Sequence, residues 1–176
     1  MEPSPDQINV LLRRYPRARV TSVVQPLSAT DFEAQKHKHL SRQALGGAVG
    51  VVSMANGQII LVKRSGMHVG WALPGGTVEQ DEDFQEAFIR EIVEEIGVSL
   101  RDTELVEIER KLFVSPTQEK LDFVLTVFTA NANEDVLPQP TPDAESEGLT
   151  VSLFRREEFP TTMILGDKQK ALAYAP

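Results

Sequence analysis

The chain contains no cysteine. Disulfides, thiolate nucleophiles and cysteine-ligated zinc are therefore excluded. Positive charge is also in deficit, with 18 Lys and Arg against 26 Asp and Glu and a formal net charge of −8. Such a surface repels polyanions, which argues against binding long DNA or RNA through a basic patch. A small phosphate-bearing molecule stays open as a ligand if a cation bridges it to the protein. Long apolar runs are missing as well. The longest, Gly46 to Ala55, falls far short of the roughly 20 residues that span a bilayer. The first residues, Met1-Glu2-Pro3-Ser4-Pro5-Asp6, are acidic and proline-rich, unlike a signal peptide. These features lead us to expect a cytoplasmic protein with no membrane partner. No internal repeat is visible.

What is present is ordinary for a soluble globular protein: 176 residues, 41% hydrophobic and 25% charged, enough for one domain with a real core. Residues 1–45 read as an N-terminal extension. Pro5 and Asp6 start a short helix that Pro16 ends, and Ile8, Leu11 and Leu12 would dock it on the body. The stretch from Ser28 to Arg42 is polar and has no assignable period. Residues 46–176 form the body. Ala48–Met54 and Ile59–Val62 flank Asn56-Gly57, the pattern of a hairpin with a type I′ turn. Ser65 to Gly76, rich in glycine and without periodicity, reads as a loop. A helix from Glu82 to Ile96 comes next, then strands at Leu105–Val114 and Leu121–Ala130. Asn131 to Gly148 reads as a long exposed loop, Leu149–Phe154 as a strand and Leu165–Tyr174 as a closing helix. This order predicts an α/β sandwich with a mixed sheet between helices.

The chemistry concentrates between Gly75 and Val98. Asp83 is placed to cap the helix, with Glu86 as its capping-box partner. At about 100° per residue, Glu91, Glu94 and Glu95 share one face, while Phe88, Ile89, Ile92, Val93 and Ile96 form another. Three carboxylates so close repel one another. Either solvent and an Arg90–Glu94 pair offset that repulsion, or a hard divalent cation does, since such ions prefer oxygen ligands. The approach Trp71-Ala72-Leu73-Pro74-Gly75-Gly76 favours the cation, because its glycines let backbone groups come close to an ion or phosphate. Trp71 and Leu73 read as core.

Gly76, five residues, Glu82, seven residues, then Arg90-Glu91-Ile92-Val93-Glu94-Glu95-Ile96-Gly97-Val98 resembles the Nudix box without a gap. At roughly 5–7% usage for each fixed residue, a chance match at a given start is on the order of 10⁻⁹. The order of elements from Gly46 to Tyr174 also resembles the Nudix fold, an α/β/α sandwich with a mixed central sheet. The resemblance implies Mg²⁺, with Mn²⁺ as a substitute, held by Glu91, Glu94, Glu95 and the backbone carbonyl of Gly75. It implies an Arg90–Glu82 ion pair that orients those glutamates, and Gly97 ending the helix. The implied reaction is water attack on a diphosphate bond, with Glu91, Glu94, or a late-loop glutamate, Glu145 or Glu147, as the base. The implied substrate is a nucleoside diphosphate linked to another moiety: ADP-ribose or a nucleotide sugar, a nucleoside triphosphate, or a dinucleoside polyphosphate. Many family members are homodimers. Some Nudix-like domains are catalytically silent sensing or protein-binding modules, but these have usually lost box glutamates that are all present here.

Around the box, Lys63, Arg64, His68 and Gly76 are candidates for substrate binding, with a solvated strand end and a surface histidine as the plainer readings. His37-Lys38-His39-Leu40-Ser41-Arg42 gathers polar groups that could reach a nucleotide. Phe113, Phe123 and Phe128 read as core rather than stacking platforms.

Overall fold

The two β-rich runs around Asn56-Gly57 do form strands, β2 (Gly46–Ser53) and β3 (Ile59–Arg64), but not the expected hairpin. A single residue pair, Ser53 and Ile59, joins them. The turn is not type I′ either. Gly57 has φ 80°, whereas Asn56 is not among the described residues with positive φ. The Met54 carbonyl accepts from the Gly57 N–H at 2.9 Å, and the Met54 N–H donates to the Gln58 carbonyl at 2.8 Å. This is a turn closed by a glycine bulge. Beyond it the strands part, because Gly75–Val78 pairs with β2 over Gly46–Val49, and Trp71–Ala72 with β3 at Val62 and Lys63.

A computed structural model describes residues 5–41, 46–65, 70–133 and 137–176. The remaining elements are α1 (Pro5–Arg14), β1 (Arg19–Pro26), α2 (Ala29–Ser41), β4 (Trp71–Ala72), β5 (Gly75–Val78), α3 (Phe84–Ile96), β6 (Leu100–Val114), β7 (Lys120–Ala132), α4 (Pro142–Ser146), β8 (Leu149–Phe154) and α5 (Leu165–Tyr174). The strands form one mixed sheet in the order β1-β6-β7-β2-β3-β4, with β5 paired to β2 and β8 to β3. β1 runs parallel to β6, and β2 parallel to β7. No described helix is long and apolar enough to cross a membrane.

Strand alternation sorts the core into two layers. Val52, Ile60 and Val62 pack with Phe88 and Ile92 of α3. Val51, Ile59 and Leu61 pack with Ala171 of α5 and with Leu73. The sheet therefore lies between α3 and α5, the α/β/α sandwich expected from the sequence. The helix α3 starts at a complete capping box, in which the Asp83 carboxylate accepts from the Glu86 N–H and Glu86 reciprocates. It ends at Gly97 in the left-handed conformation, φ 71°. Its buried face is Phe84, Ala87, Phe88, Ile92 and Ile96. Val93, expected on that face, is 47% exposed, and Ile89 is half-buried. The i, i+4 row through Phe84, Phe88, Ile92 and Ile96 explains this, since Val93 sits about 100° from it.

Four segments differ from expectation. The first 45 residues contain β1, an edge strand in register with Glu107–Val114 of β6. The polar stretch after Ser28 is the helix α2, docked by one fully buried side chain, Phe32. The glycine-rich stretch before α3 contains β4 and β5, and the late loop contains α4, whose Ala144 is buried. As expected, α1 docks: Leu11 is buried, with Ile8 and Leu12 packed beside it.

On the α5 side, three polar contacts tie α5 and β1 to two carboxylates of β6. Lys170 reaches Glu109 at 2.6 Å. Glu107 accepts from the Tyr174 hydroxyl at 2.6 Å and from Thr21 of β1 at 2.8 Å. Burial, and then the bond to Glu107, pushes the Tyr174 phenol up to about 12.

Two outcomes follow from this packing. Replacing Ile92 by Ala should cost roughly 2–5 kcal/mol in denaturant unfolding, whereas Val93→Ala on the exposed side should cost well under 1 kcal/mol. Equal losses would overturn the facing of α3. In alkali, the unfolded Tyr174 loses its proton near pH ~10 and the folded one near about 12. Stability should therefore fall across that window, and a late phase in the phenolate absorbance titration should vanish in Tyr174→Phe.

Candidate active site

Arg90, near the middle of α3, organises the acidic face. Its guanidinium has five N–H donors, and all five are engaged. Nε donates to Glu82 Oε2 at 2.9 Å, and Nη2 to Glu82 Oε1 at 2.6 Å and to the Thr77 carbonyl at 3.1 Å. Nη1 donates to Glu91 Oε1 at 3.1 Å and Glu94 Oε2 at 3.0 Å. The bidentate grip on Glu82 is the strong form of such a pair. It holds the Glu82 carboxyl below the usual carboxylate range, and the bonds to Glu82 raise Arg90 itself. The sequence left two partners open for Arg90, Glu82 and Glu94, and the side chain binds both.

Arg64, the last residue of β3, is the second cation. One of its nitrogens, Nη2, donates to the Gly75 carbonyl at 3.2 Å and also to Glu95 Oε1. The guanidinium thus lies where the carbonyl and a box carboxylate converge. Glu95 is 18% exposed, and its other oxygen, Oε2, is buried with no hydrogen-bond partner among the described residues. Burial pushes the Glu95 carboxyl up, and Arg64 opposes that shift. Close approach of Glu91 depends on Gly76, where an added Cβ would lie 2.3 Å from the Glu91 carboxylate.

These groups border a cleft of about 550 Å³. Arg64, Gly75, Gly76, Arg90, Glu91, Glu94 and Glu95 all line it, and Glu147 joins them from the end of α4. Glu147 has no ion pair among the described residues, and its charge raises the Glu95 carboxyl further. Glu82 stands behind Arg90. Glu145 is exposed on α4 and outside this lining. Lys63 is exposed and also outside it. It follows Val62 and precedes Arg64 on a strand, so it points to the opposite sheet face. His68 lies outside the described residues, as does Arg42. From the polar group that begins at His37, it is Lys38 of α2 that reaches the cleft.

Two positioning contacts had no signal in the sequence. The Thr77 carbonyl that holds Arg90 is backbone, available to any residue type. Asp167 of α5 accepts from the Leu73 N–H at 2.9 Å and so braces the segment leading to Gly75.

The donor set suits a hard divalent cation. It offers carboxylates, a backbone carbonyl and an unpaired buried carboxylate oxygen. Among the described residues, no three His, Asp or Glu side chains already converge on one point. Arg90 and Arg64 hold several of these oxygens instead.

A family model described as the NUDIX domain matches residues 44–174. An RNA pyrophosphohydrolase from Vibrio atlanticus is 36% identical over 63 residues, 35% of this chain and 36% of that protein. A nucleoside triphosphatase, NudI, from Escherichia coli is 37% identical over 73 residues, 38% of this chain and 52% of that protein. The chain thus aligns with between about a third and a half of the length of these curated relatives. The crystal structure of a MutT NUDIX hydrolase from Burkholderia pseudomallei superposes with a TM-score of 0.57. It shares 23% identity and covers 74% of this chain and 96% of that one, which speaks to fold alone.

Gly76→Ala should displace the Glu91 carboxylate and lower divalent-cation binding, measured by calorimetry, while the far-ultraviolet dichroism stays unchanged. Unaltered cation affinity would show that the close approach is dispensable.

Proposed function

Because the chain belongs to the NUDIX domain family, we propose that it is a pyrophosphohydrolase that cleaves a diphosphate bond in a nucleoside diphosphate linked to another moiety. The observation that carries this reading is the α3 face. It brings Glu91, Glu94 and Glu95 to one cleft beside the Gly75 carbonyl, with a buried carboxylate oxygen left unpaired.

Glu91, Glu94, Glu95 and the Gly75 carbonyl would hold Mg²⁺, or Mn²⁺ in its place. That ion, when bound, neutralises phosphate oxygens and polarises the P–O bond. Arg90 orients the glutamates through its five hydrogen bonds. Arg64, once released from Glu95, is a fork-shaped donor facing the cleft and pairs with a substrate phosphate. Glu147 takes the proton from the attacking water. Glu91, Glu94 and Glu95 are each engaged by an arginine. Of the two cleft carboxylates with no ion pair among the described residues, Glu79 and Glu147, Glu147 is the one whose charge acts on Glu95. A P–O bond to water forms, the bridging P–O bond breaks, and the leaving phosphate carries away the electron pair.

The substrate is ADP-ribose or a nucleotide sugar, a nucleoside triphosphate, or a dinucleoside polyphosphate. The named relatives act on different substrates, so a panel is required. Hydrolysis of each class should be followed with and without Mg²⁺, in the wild type and in Glu94→Gln and Glu147→Gln. We expect metal-dependent cleavage of one class, no turnover in Glu94→Gln, and a loss of kcat on the order of 10²-fold or more in Glu147→Gln. Full activity in both variants would overturn the assignment.

A further inference from the structure

One edge of the sheet is left uncovered by the described residues. The strand β1 stands last in the strand order, and seven of its eight residues are exposed. Both flanking helices turn away from that edge. The helix α1 packs on the α3 side through Leu11, where Arg14 reaches Asp83 at 2.6 Å and Tyr15 reaches Gln85 at 2.7 Å. The helix α2 folds back over β6 and β7, with Phe32 buried against Phe113 and Leu121 and Lys36 paired with Glu119.

The register of β1 shows which of its backbone groups point outward. The Leu27 N–H donates to the Val114 carbonyl at 2.9 Å, in continuation of the parallel ladder with β6. Parallel strands turn alternate residues toward a given neighbour, so Thr21, Val23 and Gln25 bond β6 in phase with Leu27. Val20, Ser22 and Val24 therefore hold their N–H and C=O groups toward solvent. Pro26 falls in the same outward set, where its missing N–H breaks no bond. Exposed edges usually carry a device against pairing, such as a bulge, an interior proline or a lysine. The strand β1 has none of these. Its register with β6 is unbroken, its proline stands at the last position and its one charge, Arg19, at the first. Val20 and Val24, which share a face, are 47% and 64% exposed.

We propose that β1 pairs antiparallel with β1 of a second copy of this chain, about a two-fold axis at Ser22, and so joins the two sheets edge to edge. Such an axis keeps each sheet face on its own side, so residues of like parity stand opposite one another. With the axis at Ser22, all three outward residues find one another. Ser22 meets the second copy's Ser22, Val20 meets its Val24, and Val24 meets its Val20. The pairing makes about six hydrogen bonds and two cross-strand valine contacts. The next register in either direction brings in Pro26, which has no N–H, or Ala18, whose N–H already donates to the Tyr15 carbonyl at 3.1 Å. Charge fits as well. The strand has no acid, and Arg19 faces the second copy's Gln25. The two Arg19 residues stand roughly 20 Å apart, about twice the screening length at physiological salt. The strand β1 precedes residues 44–174, which match the family model, so the pairing rests on this chain's own extension and not on the reading of the cleft. One strand pair is a small interface, which gives a micromolar rather than a nanomolar dimer.

Sedimentation of the full chain over an about hundredfold concentration range should show a monomer–dimer equilibrium. Ser22→Pro removes the N–H at the axis without taking a bond from β6, and Val24→Lys sets a lysine on the edge. Each should weaken dimerisation at least about tenfold, with a melting curve close to that of the wild type. Because the chain has no cysteine, a single introduced thiol reports the register. Across a hydrogen-bonded antiparallel pair the Cα atoms lie about 5.5 Å apart, within disulfide range. Ser22→Cys should therefore cross-link to a dimer under diamide, and Gln25→Cys, also exposed, should not. A wild type that stays monomeric throughout would overturn the proposal. Dimerisation untouched in Ser22→Pro and Val24→Lys would place the interface elsewhere and sink it too, as would equal cross-linking from the two thiol positions.

Discussion

The candidate site depends on one guanidinium. Arg90 sits among Glu82, Glu91 and Glu94 and bonds all three, and it also bonds the Thr77 carbonyl of β5. Without it, several carboxylates on adjacent turns would repel one another and turn outward. With it, α3 is tied to the strand that carries Gly75 and Gly76, and the acidic face keeps one geometry. The same arrangement is vulnerable. Removing one partner of a partly buried ion pair leaves the other uncompensated, which costs more than the pair contributes. Lys at this position could not replace Arg, because a single ammonium cannot make a planar bidentate grip on Glu82 while also reaching Glu91 and Glu94.

Arg64 complements this node from the other side of the cleft. Arg90 faces the box from within its own helix, whereas Arg64 comes from the end of β3 and holds Glu95 and the Gly75 carbonyl. The splaying of β2 from β3 makes this possible. Had the two strands run on as a hairpin, the segment Trp71–Val78 could not pair with both, through β4 on β3 and β5 on β2, and the Gly75 carbonyl would not lie beside Arg64. On its other edge β3 pairs with β8, which sets Arg64 opposite Leu149, two residues from Glu147. The sheet thus delivers a cation and a carboxylate to the same cleft from neighbouring strands. On the far face, Asp167 braces Leu73, so the closing helix also supports the approach to Gly75.

Much of this was legible in the residues. The Asp83–Glu86 spacing announced the start of α3, Gly97 its end, and the spacing from Gly76 to Val98 the acidic face. What stayed hidden was hidden for physical reasons. The strand β1 lies at an edge and exposes nearly every side chain, so it shows no alternation to read. The helix α2 buries only Phe32 completely and therefore looks uniformly polar. The type I′ expectation failed because Asn-Gly also suits a turn with a single left-handed residue, and the flanking strands were drawn to other partners. Val93 was misplaced because a box helix buries only a narrow row of side chains. Contacts through backbone, such as the Thr77 carbonyl, leave no mark on residue type.

The central claim is that the glutamates gathered by the two arginines form a divalent-cation site, with the buried Glu95 oxygen as a ligand in waiting. The most direct measurement is Mn²⁺ binding to the substrate-free protein, followed by electron paramagnetic resonance, in the wild type and in Glu95→Gln. The account predicts saturable binding in the wild type, competed by Mg²⁺ and weakened at least about tenfold in Glu95→Gln. Equal affinity in the two proteins would contradict it.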